Sequence, residues 1–217
     1  MNVVVKFELI TRTFSDNDQP NKVIIGLHGW KGDEFVFEHV AKIVKIDDAQ
    51  WYFPRAPYES ESGSGFTWFH GSDKTGWEYE KTISGLTDLI TKIISYGFSN
   101  KDIYLVGFSQ GACLALEFAL RLPYAIGGII PIAGFIKFKE KIKSEGTKES
   151  KDTPVLLLHG NQDEVIPVSA SIISHSILKE RENPVFLKTY DARHKIPIKI
   201  APIIREFILK TKDFTLV

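Results

Sequence analysis

Residues 102–120, DIYLVGFSQGACLALEFAL, place a serine between two glycines: Gly107, Phe108, Ser109, Gln110, Gly111. A hydroxyl is a poor nucleophile until a base takes its proton, so the chemistry depends on partners elsewhere in the chain. The apolar run 103–106 reads as a buried strand and residues 112–120 read as a helix. G-x-S-x-G between a strand and a helix is the pattern of a nucleophile elbow. Its glycines let strand and helix approach closely, and the serine hydroxyl is pushed outward. The competing interpretation is an ordinary strand-to-helix turn with Ser109 as N-cap. That accounts for the serine but not for the glycines.

Three histidines follow Ser109: His159, His175 and His194. In an elbow architecture the acid and then the base follow the serine in chain order. His159 closes a strand ahead of any suitable acid, and His175 falls inside a predicted helix. His194, in TYDARHKIP, lies in the loop between the last strand and the last helix, and is the candidate base. For the acid, LLLHGNQDEVIP offers Asp163 and Glu164 just past a strand. Asp191, three residues before His194, competes. Asp163 is preferred because a carboxylate on the preceding strand's loop can orient the far nitrogen of the imidazole, although aspartate there is also a common turn former.

Attack on a carbonyl makes an oxyanion, which needs N–H donors already in place. Gln110 supplies one at the start of a helix, where backbone donors are unpaired. The loop LHGWKGDE should supply the second, assigned to the backbone N–H of Trp30. His28 in that loop either braces it or is simply satisfied by local hydrogen bonds, and the sequence favours the second. Trp30, Phe66, Trp68, Phe69 and Trp77 either line an apolar cleft or anchor a long loop to the core. Cys113, one helical turn past Ser109, reads as a packing residue rather than a second nucleophile.

These groups need a scaffold. Short runs rich in Val and Ile predict strands at residues 3–10, 23–27, 51–53, 103–106, 128–132, 155–158 and 185–189. Periodic segments predict helices at 78–95, 112–122, 168–178 and 200–209, with Pro202 in a first turn. The alternation predicts an α/β class, with a mainly parallel central sheet and helices on both faces. Two connections are too long for simple turns. Residues 54–77 are rich in glycine and aromatics. Residues 138–153 are rich in Lys, Glu, Ser and Thr and read as a solvated, mobile excursion. With no repeat or linker, residues 1–217 are expected to form one domain.

Composition narrows the function classes. The chain has 217 residues, 43% hydrophobic and 25% charged, with 27 basic and 27 acidic side chains. A net charge of zero argues against nucleic acid or an anionic membrane as the main partner. A single cysteine fits a reducing compartment, and MNVVVKFELITRTF lacks the pattern of a signal peptide, so a cytoplasmic location is expected. No apolar run is long enough to cross a membrane. Scattered histidines give no metal motif, and no G-x-G-x-x-G follows the first strands, so no cofactor is expected.

Taken together, LHGWKGDE, FPRAP, Trp68–Phe69, GFSQGACLAL, PIAGF, HGNQDEVIP and RHKIP resemble the phospholipase/carboxylesterase family of α/β-hydrolases. That group includes acyl-protein thioesterases and small bacterial carboxylesterases. The matches run in the family's order from Leu27 to Pro197. The resemblance implies an α/β-hydrolase fold with no large cap domain, Ser109 as nucleophile, Asp163 as orienting acid and His194 as base. It also implies oxyanion-hole N–H groups from Trp30 and Gln110, and Trp68 and Phe69 near the acyl site. Three positions depart from the family pattern: Ala112 and Arg193 replace usual glycines, and Ala133 replaces a usual serine.

The expected activity is hydrolysis of short-chain carboxylic esters, with thioesters as a further substrate, through an acyl-enzyme. The partner is then a small-molecule ester, with homodimer formation left open. Two alternatives stand beside it. One is a catalytically silent α/β-hydrolase-fold protein that binds a small ligand in the same pocket. The other is an interaction module working through the charged excursion.

Overall fold

The computed structural model describes residues 7–216. Seven strands form the central sheet: β1 (Thr11–Phe14), β2 (Lys22–Leu27), β3 (Ala49–Pro54), β8 (Ile103–Phe108), β9 (Gly128–Ile132), β10 (Val155–Gly160) and β11 (Val185–Tyr190). Two small hairpins, β4 (Tyr58–Glu59) with β5 (Phe66–Thr67) and β6 (His70–Ser72) with β7 (Gly76–Glu78), intervene. The sheet order is β1-β3-β2-β8-β9-β10-β11. β1 lies antiparallel on β3, and every other neighbouring pair is parallel.

The apolar runs do not alternate with polar residues because both faces of the sheet are covered. On one face Val23, Ile25, Leu27, Ile103, Leu105, Val155 and Leu157 meet α2 (Glu80–Ser95), α3 (Gln110–Ala119) and α5 (Ser169–Glu180). On the other, Ile24, Tyr104, Val106, Leu156 and Leu158 meet α1 (Val36–Val44) and α6 (Ala201–Leu209). α3 is buried all round from Gly111 to Ala119, which its nearly uniform apolar sequence predicts. Pro202 sits in the first turn of α6, where its missing N–H costs nothing.

Three expectations need correction. Of the strand expected at residues 3–10, residues 3–6 lie outside the described residues, and residues 7–10 are not strand. Pairing with β3 starts at Thr11, because Leu9 instead turns its side chain into the core against Gly85 of α2. No helix was expected before β3, yet α1 is there, with Phe37, Val40, Ala41 and Val44 on its buried side. Residues 138–153 keep most of their charged side chains exposed but are anchored to the body rather than forming a free excursion. They form α4 (Lys139–Glu145) and a 3₁₀ turn, Glu149–Asp152, with Ile142 and Ser150 buried. Asn183 Nδ2 donates to the carbonyls of Ser150, Lys151 and Thr153 at 2.9–3.2 Å, and Arg181 donates to those of Ile142 and Thr147.

Candidate active site

The turn from β8 into α3 holds Ser109 at φ 54° and ψ −115°, a region an L residue seldom adopts. A Cβ at Gly107 would collide with the Gly111 carbonyl, and one at Gly111 with the Leu27 carbonyl, so both glycines are required by close approach. The Ser109 side chain makes no capping bond to α3. Its Oγ stands 2.9 Å from His194 Nε2 instead. The N-cap interpretation therefore does not describe this serine.

His194 projects from the loop after β11, with its ring tilted over Phe108 at 4.8 Å between centroids. Its backbone is tied down by the Tyr190 hydroxyl, which donates to the Lys195 carbonyl. His194 Nδ1 lies 2.7 Å from Asp163 Oδ2. Asp163 comes from the loop after β10 and its side chain is fully buried, whereas His194 keeps a solvent-facing edge. The second carboxylate oxygen, Oδ1, accepts the N–H groups of Val165 and Ile166 at 2.9 Å. Burial on its own would raise the Asp163 pKa. The bonds from His194, Ile166 and Val165 outweigh it and hold the carboxyl below its ordinary range. Asp191, the competing acid, accepts from Gln162 Nε2. An imidazole with one nitrogen on a hydroxyl and the other on a carboxylate can take the hydroxyl proton as the oxygen attacks.

The loop after β2 packs directly on the elbow. A Cβ at Gly29 would meet the Ser109 Cβ at 3.5 Å, and Trp30 follows, 54% exposed. Gln110 opens α3, and its side chain reaches across to the hairpin segment. Its Nε2 donates to Thr67 Oγ1 at 2.7 Å, and its Oε1 accepts the Trp68 N–H at 3.0 Å. His28 is the brace of this corner. Its Nδ1 donates to the Gly29 carbonyl at 2.7 Å, and its Nε2 accepts the Ala56 N–H at 3.1 Å. Burial pushes its pKa down to about 4. Trp68 is fully buried, stacked at a tilt on His28, and its indole N–H donates to the His28 carbonyl. Phe69 is buried between Tyr79 and Phe138. Both aromatics stand behind the surface and fix the loop that carries them.

His159, set aside on sequence grounds, lies fully buried beside Asp163, its Nε2 3.3 Å from Oδ2. The only advance signal was a polar residue inside the apolar run of β10. His175 sits within α5, as its position predicts. Burial raises the Cys113 thiol to about 12, which keeps it protonated and unreactive. No group of three or more His, Cys, Asp or Glu suited to a metal ion occurs among the described residues. No helix among them is long and apolar enough to cross a membrane.

The chain is similar to known proteins over most of its length. A curated relative, acyl-protein thioesterase 1 of Kluyveromyces lactis, is 32% identical over 69% of this chain and 73% of its own length. A rice protein (Oryza sativa subsp. japonica) named "Probable inactive carboxylesterase" is 25% identical over 79% of this chain and 76% of its own. Among solved structures, esterase PE8 superposes with a TM-score of 0.84 at 25% identity, covering 94% of this chain and 99% of that one. The family model for phospholipase/carboxylesterase matches residues 10–212. With that match and this sheet, the chain belongs to the phospholipase/carboxylesterase family and has the α/β-hydrolase fold.

Proposed function

We propose that this protein is a serine hydrolase that cleaves short-chain carboxylic esters, and thioesters as a second class, through an acyl-enzyme. The observation that carries the reading is the unbroken chain from Ser109 Oγ to His194 Nε2 at 2.9 Å and from His194 Nδ1 to Asp163 Oδ2 at 2.7 Å.

Ser109 Oγ attacks the carbonyl carbon while His194 takes its proton. Asp163 holds the imidazole with Nδ1–H toward the carboxylate and Nε2 free to accept, and it stabilises the imidazolium that forms. The oxyanion is received by the backbone N–H groups of Gln110 and Trp30. Collapse breaks the bond to the leaving alcohol or thiol, which departs with the proton from His194. Water then attacks the acyl carbon, gives a proton to His194, and releases the acid and the Ser109 hydroxyl. Trp68 holds the 54–77 segment against Gln110 and the His28 loop, and Phe69 anchors that segment against Tyr79 and Phe138.

The relative named as inactive keeps a silent ligand-binding protein in view as the second reading. Turnover of p-nitrophenyl butyrate separates the two. Ser109→Ala should lower kcat by roughly 10⁴-fold or more with an unchanged circular dichroism spectrum. Near-native turnover by that variant, or none by the wild type, would refute the hydrolase reading.

A further inference from the structure

We propose that His159 is a positioning residue for the acid, donating from Nε2 to Asp163 Oδ2 as well as to the Ile166 carbonyl. The inference rests on the hydrolase reading above. His159 Nε2 faces two acceptors, the Ile166 carbonyl at 2.9 Å and Asp163 Oδ2 at 3.3 Å, so this nitrogen carries the hydrogen. Nδ1 stands 2.6 Å from Ser171 Oγ, and that hydroxyl is 2.8 Å from the Gly134 carbonyl oxygen. The ring is therefore clamped between β10, the start of α5 and the segment after β9, with no exposed surface.

Asp163 accepts from three N–H groups, Val165 and Ile166 on Oδ1 and His194 on Oδ2, and the His159 Nε2–H, bonded to the Ile166 carbonyl, stands 3.3 Å from Oδ2 as a fourth, weaker donor. The Val165 and Ile166 N–H groups on Oδ1 keep the carboxylate turned toward His194, and the His159 contact draws negative charge off the oxygen that His194 uses. The groups facing Asp163 are His194, His159 and the buried Tyr190, whose hydroxyl bonds to the Lys195 carbonyl. His194 in turn faces Ser109, Asp163 and the uncharged Phe108 ring. Removing the His159 N–H leaves more charge on Asp163, which favours protonated His194 and moves the acid limb of kcat/KM to higher pH. A merely structural defect separates carboxylate from imidazole and moves it to lower pH.

The test is a pair of substitutions assayed with p-nitrophenyl butyrate from pH 5 to 9. His159→Leu should lower kcat by ~10-fold or more, the scale of one hydrogen bond to a charged group, with KM within about threefold. Its acid limb should rise by roughly half a unit. His159→Gln, whose amide N–H reaches the place of Nε2, should recover most of both. His159→Leu folded with wild-type kcat and limb, a limb shifted downward, or a Gln variant no better than Leu would each overturn the proposal. If His159→Leu fails to fold, ¹⁵N spectra of wild-type imidazoles decide: Nε2 of His159 carries hydrogen, and a bare Nε2 overturns it. An inactive wild type would sink the hydrolase reading instead, and a bare Nε2 in the ¹⁵N spectrum would still overturn the His159–Asp163 bond.

Discussion

Ser109 is held at a positive φ that costs an L residue on the order of 1–2 kcal/mol, and the packing of two glycines against neighbouring backbone maintains it. Those glycines were legible in the sequence because nothing else in a strand-to-helix turn needs them. Asp163 Oδ2 stands 2.7 Å from His194 Nδ1, whereas Asp191 accepts from Gln162 Nε2. His159 was not legible, since burial and a 3.3 Å approach to Asp163 depend on the registry of three separate segments. His28 gives a prediction at this scale. Burial holds it neutral, lowering its pKa from the ordinary 6.5 to about 4. Between those values the unfolded chain binds a proton that the folded chain refuses, so stability falls as pH drops through this window and falls no further from this group below it. The loss is on the order of 3 kcal/mol at its full extent. Asp163 and Glu34, whose carboxyls lie below their ordinary range, add their own losses only around pH 4 and below. Urea denaturation between pH 4.5 and 6.5 should show a shallower decline for His28→Gln than for wild type. Equal slopes would mean that His28 titrates normally in the folded state.

At the scale of elements, the parallel strands and α2, α3, α5 and α6 could be read from their apolar runs because burial on both faces leaves a simple pattern. α1 carries the same kind of signal in Phe37, Val40, Ala41 and Val44, but over only nine residues, with Glu38, His39 and Lys42 interrupting it. The hairpins β4–β5 and β6–β7 are two or three residues per strand, too short for any periodicity to register. Residues 138–153 misled for a different reason. Their charged composition is that of a solvated loop, but Asn183 and Arg181, far along the chain, satisfy its backbone carbonyls and make it part of the fold. Asn183→Ala removes the donor to three buried or half-buried carbonyls and should destabilise the protein by about 2–3 kcal/mol, while kcat stays near wild type. Chemical denaturation with a parallel assay checks it. A cost under ~0.5 kcal/mol would mean that this segment is held by other contacts.

For the molecule as a whole, two apolar layers on one twisted sheet bring residues 28, 109, 163 and 194 to the carboxyl ends of the parallel strands β2, β8, β10 and β11. The α/β class was readable from element alternation, whereas the convergence of four loops on one rim is a property of the topology. Beyond the sheet and its helices, the insertions among the described residues are two small hairpins and α4 with its turn. Nothing among these resembles a cap able to enclose a long chain, so kcat/KM should favour p-nitrophenyl butyrate over the palmitate ester, and the reverse order would contradict a short-chain preference. The most direct test of an activated serine is mass spectrometry of the protein after treatment with a fluorophosphonate. The expected result is a single adduct that maps to Ser109 and is lost in His194→Ala. An unlabelled wild type, or an adduct on any other residue, would contradict the account.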